Sequence, residues 1–167
     1  MKELNELYMK DGGLLSFKKD VEVILMTHKT FGSFLKALYD IVGEAGYKTT
    51  TYMQGKLSSL GVSAFIKKHY GGLQGAPKLY KEIGWGEIKI VNDGKDIVFE
   101  WSNNPVALAL KATGIDSNEP MCYFTAGYVH GLVEGLLEGK KVKKVVEESC
   151  VVKGDDKCTF RVKLEEG

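Results

Sequence analysis

The chain has 167 residues, 44% of them hydrophobic and 27% charged, and 23 Lys and Arg against 22 Asp and Glu leave a net charge of +1. That length buries a full core in one domain (1–167) without covalent staples, and the balanced charge excludes a bulk electrostatic drive toward nucleic acid or an anionic membrane. No stretch approaches the roughly 18 apolar residues of a membrane span, and the start, "MKELNELYMKDGG", has no apolar export segment. Three cysteines, an odd number, argue against a disulfide framework and for reduced thiols in a soluble, cytoplasmic protein.

In chain order, "GGLLSF" and "VEVILMT", joined by a turn at "KKD", read as two short strands. "KTFGSFLKALYDIVGEAG" places Phe31, Phe34, Leu35, Leu38, Ile41 and Val42 at helical spacing, with Gly46 as the stop. A second helical pattern runs from Tyr47 to Tyr70 through Met53, Leu57, Leu60, Ala64 and Phe65, interrupted by Gly55 and Gly61. Pro77 opens a short helix through "KLYKEIG". "GEIKIV" and "DIVFEWS" around "NDGK" form a hairpin with an Asp-Gly turn, the clearest strand pair in the chain. "NNPVALALKATG" reads as a short helix and "PMCYFTAGYVHGLVEGLLEG" as a longer one, with Pro120 in its first turn. "KKVKKVVEESCVV" and "KCTFRVKL" make a last hairpin. The class is α+β, antiparallel β-hairpins packed with helices.

Gly127, Gly131, Gly135 and Gly139 recur every fourth residue, and each interior helical glycine costs about 0.8–1 kcal/mol relative to alanine. Close backbone packing, within the chain or against a second copy, or room for a ligand must offset that cost. A membrane glycine zipper is excluded by Glu134 and Glu138.

In the last hairpin, a turn around Gly154 sets Val152 opposite Asp156 and Cys150 opposite Cys158. Two thiols so placed suit a metal, a strained disulfide or quiet apolar packing. Cys122 and Glu147 would complete three thiolates and a carboxylate, a tetrahedral set for zinc, although iron accepts such ligands too. Lys140, Lys141, Lys143 and Lys144 are either a solvated strand edge or a nearby counter-charge. In a regular strand Glu147 and Cys150 point to opposite faces, so the metal reading requires a bulge or a twisted strand end.

The segment 120–163, with Cys122, Phe124, Gly127, Gly131, Glu147, Cys150, Gly154, Cys158 and Phe160, resembles the ending of the 4-vinyl reductase domain family. "DGGLLSF", "LGVSAFIKKHYG", "EIGWGEIKIV" and "WSNNPVA" extend the resemblance upstream through less specific motifs. The resemblance implies the fold of ligand-binding domains in NO signalling and Golgi transport, shared by phenol sensors and vesicle-tethering subunits, and pairing as homodimers. In the phenol sensors a Cys, the Glu of Glu-x-x-Cys and two final cysteines hold zinc; this implies structural zinc on Cys122, Glu147, Cys150 and Cys158.

The family's name suggests a reductase, but no G-x-G-x-x-G follows a strand, and "GGLQGAP" lacks the P-loop ending. His28, His69 and His130 have no evident catalytic partners in the sequence. Binding therefore ranks above catalysis, and no catalytic residue is assigned. An enclosed site for a hydrophobic or aromatic molecule draws its candidates from Trp101, Tyr123, Tyr128, His130 and Phe99, with Trp85 and His69 behind them. Trp101 leads, because the resemblance implies that a tryptophan upstream of the first zinc cysteine helps hold the phenol. The expected function is a zinc-stabilised sensor or carrier domain signalling through a partner protein. Alternatives are a tethering scaffold, or an enzyme or accessory acting on a vinyl-bearing tetrapyrrole.

Overall fold

The computed structural model describes residues 7–9, 15–92, 95–115 and 117–165. Three short strands, β1 (Leu7–Met9), β2 (Leu15–Phe17) and β3 (Val21–Val23), form one antiparallel sheet. A long helix α1 (His28–Tyr70) and a short α2 (Ala76–Glu82) lead into β4 (Glu87–Asn92) and β5 (Asp96–Ser102). Then come α3 (Pro105–Ala112), α4 (Tyr123–Leu136), β6 (Val142–Ser149) and β7 (Cys158–Leu164). The second sheet is antiparallel in the order β4-β5-β7-β6. The α+β class read from the sequence is the one observed.

The β4–β5 hairpin forms as its alternation predicts, with the Asp93–Gly94 turn lying outside the described residues. Its central strand pairs Ile97 with Val162, Phe99 with Phe160 and Trp101 with Cys158. All six are buried in the core, and each large apolar side chain so buried contributes about 1.5–3 kcal/mol. The predicted "GGLLSF" strand is described only from Leu15. Its partner β3 stops at Val23, so Ile24, Leu25 and Met26 leave the sheet and stand exposed.

Both proline-opened helices form, and Asn104 caps α3 by accepting from the N–H groups of Val106 and Ala107. Pro120 instead precedes α4, which begins at Tyr123. The stop placed at Gly46 is corrected to a break at Gly43, whose φ of 69° and ψ of 178° belong to a region that is essentially glycine's alone. Helical bonding resumes beyond it, so Gly46 lies inside the second arm of α1.

That second arm packs along α4 by a face that hydrophobic spacing does not mark. Its buried residues Thr51, Gly55, Ser59 and Ser63 recur every fourth position and oppose Gly127, Gly131 and Gly135. A Cβ on Gly127 would strike the Tyr52 carbonyl oxygen, one on Gly131 the Lys56 carbonyl and Ser59 Oγ, and one on Gly55 the Phe124 carbonyl. The hydroxyls turn back onto their own helix, Thr51 Oγ1 donating to the Tyr47 carbonyl and Ser63 Oγ to that of Ser59, each at 2.7 Å. The glycine stripe is thus a backbone contact surface within the chain. Gly139 is not part of it, lying beyond the helix end at a φ of 72°.

The apolar residues expected to anchor this arm face outward instead. Met53 is 49% exposed and Leu57 59%, with Leu60 and Ala64 on the same side, and in the first arm Phe34, Ile41 and Val42 are also exposed while Leu35 is buried. Among the described residues no helix is long and apolar enough to cross a membrane.

Two glycine substitutions in these helices have opposite expected outcomes in urea unfolding. Gly127→Ala loses about 1–3 kcal/mol because the added methyl meets backbone. Gly61→Ala, in a helix with no atom within 4 Å of the new carbon, gains up to about 1 kcal/mol.

Candidate metal centre

Four side chains from three elements converge beneath the last hairpin. Cys122 is the N-cap of α4, Glu147 sits on β6, Cys150 follows the end of β6, and Cys158 opens β7. The required bulge is present: Glu147 pairs with Phe160 and Ser149 with Thr159, leaving one extra residue between them on β6. That insertion brings Glu147 and Cys150 to one side. The ladder ends at Ser149, and its register carries on to set Cys150 opposite Cys158. Val152 belongs instead to a short 3-10 turn, Val151–Lys153, closed by Gly154 at a φ of 102°. Asp155 fastens the loop by accepting the Cys150 N–H at 2.7 Å.

One potential ligand atom from each of the four lies within 4.8 Å of every other. Cys122 Sγ is 3.6 Å from Cys150 Sγ and 3.9 Å from Cys158 Sγ, too far for the ~2.05 Å of a disulfide. Sulfurs at the ~2.3 Å zinc–sulfur distance on a tetrahedron stand about 3.8 Å apart, which the two separations bracket. Glu147 Oε2 accepts the Cys122 N–H at 3.1 Å, while Oε1 is buried with no hydrogen-bond partner. A buried carboxylate oxygen left this way is costly, and a cation is the partner it lacks. The residues therefore fit a metal ion.

The electrostatics agree. Four acids this close in a dry site cannot all ionise. Cys150, hydrogen-bonded by the thiols of Cys122 and Cys158, is held far below the usual thiol range and carries the charge. Burial and the Cys150 thiolate push Glu147 up to about 9. The bonds to Cys150 and Cys158, with burial, raise Cys122. Cys158 is lowered by its bond to Cys122 but raised on balance by Cys150 and burial. The lysines at 140, 141, 143 and 144 are exposed around the start of β6, the end remote from Cys150. Backbone N–H groups supply the nearby positive dipoles, Cys122 to Glu147 and Val151 to Cys158 Sγ at 3.4 Å.

The five aromatic and histidine candidates do not share one pocket. Trp101 and Phe99 are fully enclosed, and Trp101 Nε1 donates to the Trp85 carbonyl at 2.7 Å. Tyr128 is buried and bonded to the Tyr80 hydroxyl at 3.0 Å. Tyr123 stands edge-on to Tyr47. His130 turns toward α1, bonded to Tyr52 Oη at 2.7 Å and Lys56 Nζ at 2.6 Å, with Glu134 beside it. A cavity of about 330 Å³ opens elsewhere, lined by Ile24, Met26, Phe31, Trp85, Pro105 and Phe124 among others. Of these the sequence reading singled out only Trp85 as a pocket candidate, because the enclosure is built by the exposed linker after β3, which has no motif.

Residues 97–164 match the family model of the 4-vinyl reductase domain. An uncharacterized protein of Methanocaldococcus jannaschii is 34% identical over 97 residues, covering 58% of this chain and 48% of the relative; the match thus spans about half of that protein's length. Among solved structures, the phenol-responsive sensory domain of the transcription activator PoxR, crystallised with phenol, aligns over 95% of this chain and 85% of its own at 20% identity, with a TM-score of 0.79. A vinyl-4-reductase family protein from Methanocaldococcus jannaschii aligns over 86% and 85% at 23% identity, TM-score 0.62. A trafficking protein particle complex subunit 3 from Naegleria fowleri, covalently bound to palmitic acid, aligns over 83% and 95% at 17% identity, TM-score 0.54. At these identities the structural likeness is one of fold. Residues 97–164 are thus a 4-vinyl reductase domain, the resemblance read from Cys122 to Phe160 holds, and the chain shares its fold with a phenol-sensing domain and a trafficking-complex subunit.

Proposed function

We propose that this chain is a zinc-stabilised domain that binds a small hydrophobic or aromatic molecule, works as a homodimer and has no catalytic group of its own. The buried set of Cys122, Glu147, Cys150 and Cys158, with its unpartnered carboxylate oxygen, is the observation that carries the zinc reading. Four protein ligands leave no open position, which is the pattern of a structural site. Zinc held there would tie β6, β7 and the start of α4 together.

The cavity beside Trp85 supports the binding reading. At about 330 Å³ with mainly apolar walls, it falls at the lower end of the roughly 300–1,000 Å³ typical of small-molecule sites. Phe124 and Trp85 present ring faces from a continuous aromatic cluster with Tyr80, Tyr128 and Trp101. Trp101 serves that wall from behind, through its bond to the Trp85 carbonyl. Its register partner is Cys158, so the metal centre and the aromatic wall share one strand pair. A phenol-responsive domain of the same fold is consistent with an aromatic ligand.

The outward apolar face of α1 supports self-association. Met53, Leu57 and Leu60, with Gly61 and Ala64 leaving room for a neighbour, form a continuous stripe of a kind monomeric proteins seldom leave in water. A second copy is the proposed occupant, and a scaffold role or a signal to a partner protein would use the same face.

Three outcomes are expected. At neutral pH only Cys150 of the four ligands is ionised, so zinc taking all four as anions displaces about three protons. Calorimetry in buffers of different ionisation enthalpy reads that number, and affinity falls steeply as pH is lowered; no zinc uptake by protein purified without chelators would sink the metal reading. In thermal melts across phenols, indoles and tetrapyrroles, a true ligand at a hundred times its Kd stabilises by about 2.7 kcal/mol, and Trp85→Ala removes the shift. Sedimentation of Leu57→Glu gives a monomer where the wild-type chain gives a dimer; a wild-type monomer refutes the pairing.

A further inference from the structure

Tyr47 comes from the second arm of α1 and is completely buried. Its hydroxyl has no hydrogen-bond partner, a costly state for a phenol in a protein interior. The ring is fixed edge-on between Tyr39 and Tyr123, at centroid distances of 5.6 and 6.0 Å, and Tyr123 directly follows Cys122. Among the described residues, the buried side-chain atoms left without partners are Ser16 Oγ, Tyr47 Oη, Asn104 Nδ2 and Glu147 Oε1. One of these belongs to the metal cluster, and another stands within electrostatic reach of it. Burial raises the Tyr47 phenol well above its usual range, and the charges of Cys122, Glu147 and Cys150 add to the effect. A neutral hydroxyl facing a group of anions is a donor in search of an acceptor.

We infer that the Tyr47 hydroxyl is a positioning donor to the anionic ligands of the metal centre, hydrogen-bonding a ligand thiolate or the Glu147 carboxylate when the ion is in place. The inference rests on the metal reading above and deepens it by adding a fourth element, α1, to the three that carry ligands. Hydrogen bonds to ligand atoms orient them and tune their hold on the ion, and their loss costs about 10- to 100-fold in affinity. The bond would also couple α1, whose outer face is apolar, to metal occupancy. Tyr123 is the natural comparison, because it shares the ring contact but is only partly buried and has no orphaned hydroxyl.

The test is Tyr47→Phe, which keeps the ring and removes only the hydroxyl, with Tyr123→Phe as control. Each protein is loaded with cobalt, and two quantities are read: the thiolate-to-cobalt charge-transfer spectrum and the metal-release rate under excess chelator. The expected result is a shifted band and release about 10- to 100-fold faster for Tyr47→Phe, with Tyr123→Phe matching the wild type. Thermal melting of the metal-free proteins separates these effects from folding: Tyr47→Phe should melt no lower than the wild type, because no bond is lost without the ion. Wild-type spectrum and release rate in Tyr47→Phe would overturn the inference and leave the metal reading standing. A wild-type chain that takes up no cobalt overturns both. If Tyr47→Phe folds poorly, an NMR-active cadmium isotope in the wild-type protein decides: coupling between the metal and a slowly exchanging tyrosine hydroxyl proton supports the bond, and its absence overturns it.

Discussion

Backbone contact between α1 and α4 sets the positions of the other parts. With Gly55 against the Phe124 carbonyl and Gly127 against that of Tyr52, the two helices approach more closely than any side chain larger than hydrogen at those points allows. That approach seats the start of α4, and with it Cys122, at a fixed height above β6 and β7. It also delivers Tyr47 to the metal cluster and Tyr52 and Lys56 to His130. The glycines cost helix propensity, and the packing they permit is what offsets it.

The same contact explains the outward apolar stripe. Thr51, Gly55, Ser59 and Ser63 occupy the inner face of α1, so Met53, Leu57 and Leu60, about 200° away around the helix, have nowhere to go but outside. A helix whose small polar face is buried and whose apolar face is exposed has two contact surfaces, one for its own chain and one for a neighbour. The arrangement joins the proposed dimer face, the glycine stripe and the metal centre through one rigid element, interrupted only at Gly43.

The metal site depends on a local irregularity. Glu147 and Cys150 are three residues apart and would diverge in a regular strand, and the bulge after Glu147 resolves the conflict. The strand pair that supplies Cys158 also supplies Phe160 and Val162 to the core and faces Trp101, Phe99 and Ile97 across the sheet. Metal ligation and aromatic packing therefore stand on the same two strands, and a change in one is felt by the other.

Local chemistry was legible in the chain by itself: alternation drew the β4–β5 hairpin, prolines opened α2 and α3, and Cys122, Glu147, Cys150 and Cys158 stood out by residue type and spacing. The class and the metal candidates follow from such short-range signals because turn chemistry and ligand chemistry are local. Which face of α1 turns inward was not legible, since hydrophobic periodicity assumes that apolar residues seek the chain's own core, and here small residues won by permitting close backbone approach. The break at Gly43 rather than Gly46, the exposed linker Ile24–Met26 that walls the cavity, and the burial of Tyr47 beside the cysteines likewise depend on partners far away in sequence. Tertiary structure alone decided these, because each is set by what another segment leaves room for.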